Sequence, residues 1–433
     1  MQFGARNRSE QAAFPSPPSS GEAIRLQSPY GADGCGAESA QRDYLSGMPN
    51  ARRTLTFSES VIREMTRVAN QYGAVNLSQG FPDFPMPEEM KEAACDAIRR
   101  DFNQYATTWG TKTLRDAIAG KYLTRYGMTV DPDAEITVAC GGTEAMASVF
   151  LALIDPGDEV IIFEPFYENY GPDAILSDAK PVFVPLTVPD WKLDIDALKA
   201  AVTPRTRALI LNSPHNPTGH VFDRAELEAI AEVCIAHDII VITDDPYEYI
   251  LFEGTHIPIA TLPGMRERTV TTSSLSKTFS ITGWRLGYAI ASPERAGAIR
   301  KVHDFLTVGA PAPLQQAAAV GYAFPDSYYQ KLSDDYKARR EFLAGPLRDA
   351  GFRFTNPNGA YYFFADFSAL SSQDDVTFAK WMTKEVGVAT VPGSSFYRPG
   401  APEGKRFVRF AFCKKRETLE AAVERLAKLK SLL

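Results

Sequence analysis

The segment Ser273-Ser274-Leu275-Ser276-Lys277-Thr278-Phe279-Ser280-Ile281-Thr282-Gly283-Trp284-Arg285 puts hydroxyls beside a lysine and an arginine eight residues beyond it. These groups suit a phosphorylated aldehyde. The Lys277 amine can condense with the carbonyl, while the hydroxyls and the Arg285 guanidinium hold the phosphate. The segment follows an apolar run, Thr269 to Ser273, that reads as a strand, and the end of such a strand is the usual ligand edge of an open α/β sheet. A lone lysine among serines is more often a surface loop, so its meaning rests on the other segments.

Four of these can act with it. Cys140-Gly141-Gly142-Thr143-Glu144-Ala145 joins a strand to a helix, where free amides attract an anion. Glu164-Pro165-Phe166-Tyr167 and Thr243-Asp244-Asp245-Pro246-Tyr247 each follow an apolar strand. Of the two aspartates, Asp245 is expected to be a solvated loop or cap residue. Arg409 sits in Phe407-Val408-Arg409-Phe410, an apolar and aromatic strand, and a lone charge there needs a partner or a ligand. Asn212-Ser213-Pro214-His215-Asn216-Pro217-Thr218-Gly219 reads by itself as a turn.

The elements that position these residues follow from periodicity. Short apolar runs at 136–139, 159–163, 181–184, 208–211, 239–243, 269–273 and 286–290 alternate with helical patterns, most clearly Thr143 to Leu153 and Arg224 to His237. That rhythm predicts a predominantly parallel sheet covered on both faces. Earlier amphipathic segments begin near Ser60, Pro87 and Thr113. Beyond about residue 325 come a long charged helix toward Ala350 with an interruption near Gly345-Pro346, and strands at 361–366, 388–391 and 407–412. Helices at 376–385 and 417–429 complete that part. The expected division is a tail over 1–50, an N-terminal part of a small domain with its lid over 51–115, a large domain over 116–325 and the rest of the small α+β domain over 326–433.

Composition sets limits. Among 433 residues, Asp and Glu outnumber Lys and Arg by 53 to 46, a balance without general attraction for nucleic acid or anionic lipid. Five scattered cysteines argue against a disulfide scaffold and for a reducing, cytoplasmic setting. Five histidines form no HExxH or Cys/His cluster, so no metal is expected. No run of 18 apolar residues suggests a membrane span.

Taken in order, the motifs resemble the fold-type I pyridoxal-phosphate enzymes, specifically the class I/II aminotransferase family, from about residue 55 to 430. The resemblance implies a mostly parallel seven-stranded sheet between helices with a smaller α+β domain, pyridoxal 5'-phosphate as cofactor, and a homodimer with shared active sites. It makes Lys277 the Schiff-base lysine and proton carrier, and Ser274, Arg285, Gly141, Gly142 and Thr143 the phosphate ligands. Asp244, by its three-residue spacing to Tyr247, becomes the partner of the pyridine nitrogen, with Asn216 and Tyr247 at the phenolic oxygen and Tyr167 stacked on the ring. Arg409 and Gly80 would meet the substrate α-carboxylate, Gly80 from a lid, Asn76 to Pro85. Trp109 would line the substrate entrance or simply pack, and Tyr105 would reach the phosphate of the neighbouring subunit.

Gln79-Gly80-Phe81-Pro82-Asp83-Phe84-Pro85 and Val391-Pro392-Gly393-Ser394-Ser395-Phe396-Tyr397 look most like the branch of kynurenine, glutamine and methionine aminotransferases. Phe305 to Pro313 holds no basic residue where an aspartate-specific relative commonly places one, which favours a neutral or aromatic side chain, phenylalanine included, with glutamate also open. The same residue set serves a cysteine-conjugate or cystathionine β-lyase, which is the alternative; a cyclase or decarboxylase also uses this scaffold. Fifty unpatterned residues are too few for the helix-turn-helix module of a cofactor-sensing repressor.

Overall fold

Strands that alternate with helices bury both their faces, and their residues divide by parity between two cores. The computed structural model of the chain describes residue 57 and residues 59–433, which form one compact unit. The expected tail over 1–50 lies outside the described residues. After the helix Val61–Tyr72 comes a two-residue strand, β1 (Val75–Asn76). Then follow β2 (Ile136–Ala139), β3 (Glu159–Glu164), β4 (Lys180–Pro185), β5 (Thr206–Asn212), β6 (Ile240–Asp244), β7 (Thr269–Ser274) and β8 (Gly287–Ile290). These seven make one sheet in the order β2-β8-β7-β6-β5-β3-β4. Every pairing is parallel except those of β8, which runs antiparallel to β2 and β7. The connection over residues 275–286 holds only the one-turn helix Leu275–Thr278 and a turn at Thr282–Trp284 in place of a full crossover helix, and β8 returns antiparallel.

Val160, Ile162, Ile210 and Ile242 pack on one face against Met146, Val149 and Phe150 of the helix Gly142–Leu153. Ile161, Phe163, Leu209 and Val241 pack on the other against Leu227 and Ile230 of the helix Arg224–Ala236. The C-terminal part supplies β9 (Tyr362–Asp366), β10 (Val388–Ala389), β11 (Val391–Pro392) and β12 (Phe407–Ala411). β11, β12 and β9 form an antiparallel sheet, and β10 pairs in parallel with β1. A further large core joins Met65 and Leu77 to Leu343, Phe363, Phe378 and Phe410, so the segment after residue 57 and the C-terminal elements share one apolar interior.

Three details differ from the sequence reading. The helix Asp326–Ala350 runs through Pro346 without a break. The lost hydrogen bond and ring clash cost about 3 kcal/mol, and full burial of Leu343 and Leu347, at about 1.5–3 kcal/mol each, offsets it. The expected helix over 376–385 is an α-helix, Asp375–Trp381, that widens into a π-helical turn, Met382–Val386. The single strand expected over 388–391 is two, because β10 and β11 join different sheets.

Candidate active site

Parallel strands point their carboxyl ends to one edge, and here three polar residues terminate neighbouring strands. Asn212 ends β5, Asp244 ends β6 and Ser274 ends β7; Asn212 stands in register with Asp244, and Asp244 with Thr272. A cleft of about 280 Å³ opens over this edge.

One end of the cleft is built for an anion. The helix Gly142–Leu153 starts after Gly141 with no side-chain cap, so its first amides are left for a ligand, and Gly142 and Thr143 line the cleft. Gly141 has φ +85°, and a Cβ there would stand 2.5 Å from Arg285 Nη2. Only glycine fits both the backbone and the approach of the guanidinium. Arg285 itself adopts a left-handed conformation, φ +53°, and donates from Nη1 to the Thr282 carbonyl at 3.0 Å. Ser274 Oγ caps the short helix Leu275–Thr278 by accepting from Ser276 N at 3.2 Å.

Lys277 stands on that short helix and lines the cleft; its Nζ donates to the Gly80 carbonyl at 3.1 Å. Tyr361 Oη donates to the same oxygen at 2.9 Å. Burial pulls the Lys277 pKa down to about 8, and the Arg409 and Arg285 cations push the same way. An amine in that range is a usable nucleophile and base near neutral pH.

At the far end, Asp244 Oδ2 accepts from Tyr170 Oη at 2.7 Å, and the Asp244 carbonyl accepts from Asn212 Nδ2 at 2.5 Å. Burial lifts the Asp244 pKa to about 6, against the lowering effects of the Tyr170 hydroxyl and Lys277. Asn212 Oδ1 also accepts from the Asn216 backbone at 2.7 Å, which ties the turn carrying Asn216 to the strand edge. Tyr247 and Tyr362 exchange a hydroxyl hydrogen bond at 2.9 Å, and Tyr167 forms a cleft wall edge-on to Tyr170.

Arg409 is 1% exposed yet has no carboxylate partner among the described residues. Its Nη1 donates to Asn216 Oδ1 at 2.8 Å and its Nη2 to the Ser78 carbonyl at 3.0 Å, while Nε has no partner. The guanidinium lies 4.2 Å from the Tyr362 ring centre and 4.8 Å from that of Phe396. A buried cation held by neutral acceptors and aromatic faces, at a cleft wall, is complementary to an incoming carboxylate.

Of the expected site residues, the cleft brings together Gly80, Gly142, Thr143, Tyr167, Asn216, Asp244, Tyr247, Ser274, Lys277, Arg285 and Arg409, with Gly141 directly behind. It does not include Tyr105, which is 87% exposed, or Trp109, whose ring lies against the Arg300 guanidinium at 4.9 Å. Asp245 corrects one expectation. It is not solvated but buried, and accepts from Thr243 Oγ1 at 2.6 Å. Sequence reasoning missed Tyr170, Asn212, Asp173, Tyr361 and Tyr362. Asn212 was legible as the last residue of a strand beside Asp244; the tyrosines carry no local signal, because distant packing aims them. It also missed His303, fully buried, with Nδ1 3.0 Å from both Glu144 oxygens and Nε2 2.8 Å from the Thr108 carbonyl. Both nitrogens face acceptors, so the ring is held as an imidazolium behind the anion cup.

An anion cup, a lysine of lowered pKa and a buried carboxylate in one cleft define a pyridoxal-phosphate site, and the chain matches the family described as aminotransferase class I and II over residues 72–426. The protein belongs to that family and is a pyridoxal-phosphate-dependent aminotransferase. It is similar to a probable N-succinyldiaminopimelate aminotransferase, DapC, of Mycobacterium tuberculosis, at 42% identity across 87% of this chain and 98% of that protein. It is 38% identical to a methionine aminotransferase of Escherichia coli (86% and 96% covered) and 37% identical to human kynurenine–oxoglutarate transaminase 1 (85% and 95%). The solved structure of the N-succinyldiaminopimelate aminotransferase from Mycobacterium tuberculosis has a TM-score of 0.86 to this chain, covering 88% of it and all of the other at 42% identity.

The residues present fit the cofactor. The space at Gly141 that a Cβ would fill is taken by Arg285, the amides and hydroxyls beside it can donate to a phosphate, and the amine and carboxylate stand in the same cleft.

Proposed function

We propose that this protein moves the amino group of an L-amino acid with a neutral or aromatic side chain to a 2-oxo acid, with Lys277, Asp244 and Tyr247 as its catalytic residues. The observation that carries the reading is Arg409, a buried guanidinium without a carboxylate partner among the described residues, in the same cleft as a lysine of lowered pKa. When bound, pyridoxal phosphate supplies an aldehyde for the Lys277 amine and a ring that accepts an electron pair from the substrate α-carbon. Ser274, Arg285 and the amides of Gly142 and Thr143 would hold its phosphate, Asp244 would keep a proton on its ring nitrogen, Asn216 and Tyr247 would donate to its phenolic oxygen, and Tyr167 would cover its ring. Arg409 fixes the substrate carboxylate with two parallel bonds, so that the α-hydrogen faces Lys277. Lys277 Nζ then takes and holds the α-proton as general base.

The active form in this reading is a homodimer in which Tyr105 reaches the partner's phosphate site, and the body divides into a large domain over 116–325 and a small one from 51–115 with 326–433. Exposed Tyr105, Phe305 (93%), Leu306 and Val308 support it, since apolar groups crowded on a surface mark an interface. The spread of free cysteines supports a cytoplasmic setting.

The test is a single-turnover titration of cofactor-loaded protein, with no oxo acid present, against kynurenine, methionine, phenylalanine, glutamine, glutamate, cystathionine and N-succinyldiaminopimelate. The last is included because Arg63 lines the cleft. A lasting conversion of the cofactor absorbance by kynurenine, methionine, phenylalanine or glutamine supports the reading and identifies the donor, whereas conversion by glutamate or N-succinyldiaminopimelate alone keeps transamination and overturns the neutral side chain. Return of the starting spectrum while pyruvate and ammonia accumulate would instead assign a β-lyase.

A further inference from the structure

We propose that Asp173 is a second carboxyl of the cleft, a positioning residue that holds a proton beside Asp244 so that Asp244 alone carries negative charge at that end near neutral pH. The inference rests on the reading of Asp244 as the partner of the ring nitrogen.

Asp173 lies on the helix Tyr170–Leu176, three residues after Tyr170, and so on the same side of the helix. Tyr170 donates to Asp244 Oδ2 at 2.7 Å, and Asp173 lines the same cleft as both. Asp173 is 6% exposed, and its Oδ2 is buried without a hydrogen-bond partner among the described residues. Among the described residues no cation pairs with it, although Arg63, Lys277, Arg285 and Arg409 line the same cleft. The helix Gly142–Leu153 presents Thr143 and Met146 to the cleft, while its Glu144 is turned to His303, Ser148 and the Cys140 amide. Lys180 of β4 is paired with Glu159, and Glu168 accepts from Ser60. The charged group that acts on Asp173 is Asp244, of like sign.

A carboxylate in such a place takes up a proton instead of staying charged. Burial, then the Asp244 charge, raises the Asp173 pKa to about 8, while Asp244 stands at about 6. The two titrate as a coupled pair, with one negative charge between those values and two above. The second charge strengthens the hold of nearby bases on their protons, Lys277 and the ring nitrogen included. Asp173 thereby shapes the alkaline limb of the reaction.

The first measurement needs no cofactor. Difference infrared spectra of the apoprotein against Asp173→Asn, followed from about pH 6 to about pH 10, should show a protonated-carboxyl band in the parent chain that is lost with a midpoint near pH 8. In an Asp244→Asn background that midpoint should fall, because the like charge is gone. No such difference band, or a midpoint indifferent to Asp244, overturns the proposal. The second measurement is the pH profile of kcat/KM in the holoenzyme. Asp173→Asn should move the alkaline limb, and a limb that superposes on the parent's overturns the link to catalysis. Asp173→Leu, which fills the buried space without a polar atom, gives the same comparison if the asparagine variant folds poorly. Full turnover by Asp244→Asn would sink the ring-nitrogen reading while leaving the infrared titration of Asp173 intact, so the two failures are separable.

Discussion

Replacing Arg409 by methionine separates substrate recognition from folding. In the proposed reading the guanidinium makes two charge-assisted bonds to the substrate carboxylate. At about 1.5–3 kcal/mol each, their loss is about 3–6 kcal/mol, or roughly 10²- to 10⁴-fold in kcat/KM. The fold should barely notice. Methionine leaves Asn216 Oδ1 and the Ser78 carbonyl without their donors, at about 1–3 kcal/mol each. Against this, it removes a buried cation with an orphaned Nε and fills the space between Tyr362 and Phe396 with apolar atoms, a gain of similar size. The two nearly cancel, so Tm should move by no more than about 5 °C. The assay is the single-turnover rate with an amino acid and with the matching amine that lacks the carboxylate. Arg409→Met should collapse the first rate and leave the second nearly unchanged. A variant within about tenfold of the parent on the amino acid, or one that loses both rates equally, would refute the argument.

Gly141→Ala should weaken pyridoxal phosphate binding by tenfold or more, since a residue with a Cβ is strained by about 1–3 kcal/mol at φ +85° and ψ 167° and the Cβ also displaces Arg285; equilibrium fluorescence titration of the apoprotein reads it. The rate at which apoprotein takes up pyridoxal phosphate should climb with a midpoint near pH 8, where Lys277 loses its proton, instead of rising without limit into strongly alkaline solution. For His303, the Glu144 contact and the Thr108 carbonyl outweigh burial and hold the imidazole pKa above its ordinary value. The stabilisation is therefore complete below about pH 6.5 and is lost as pH rises through the raised value. His303→Gln should remove that loss from a series of Tm measurements, and a parent chain whose Tm is flat over the same interval would contradict the assignment of an imidazolium.

The sequence by itself determined the alternation of strand and helix, the seven strands of the large sheet to within two residues, and the order of the motifs. Each is local: parity decides which face a strand residue covers, a glycine doublet after a strand leaves amides free, and an aspartate that ends a strand sits on the sheet edge. That is why Lys277, Asp244, Gly142 and Ser274 were legible. Arg409 was legible as a charge without a partner in an apolar strand, although its acceptors come from Asn216 and Ser78, 193 and 331 residues away. Only the tertiary structure decided the rest. The reversal of β8 depends on a connection over residues 275–286 without a full crossover helix, which periodicity does not encode. Pro346 stays in its helix because a buried face outweighs a local penalty. Asp245 is buried, Tyr361 holds the Gly80 carbonyl, and Tyr170, Tyr362 and Asp173 reach the cleft, because segments far apart in the chain close around it. The pKa values of Lys277, Asp244 and Asp173 follow from that closure, since desolvation depends on what surrounds a group in space, which no neighbour in sequence can report.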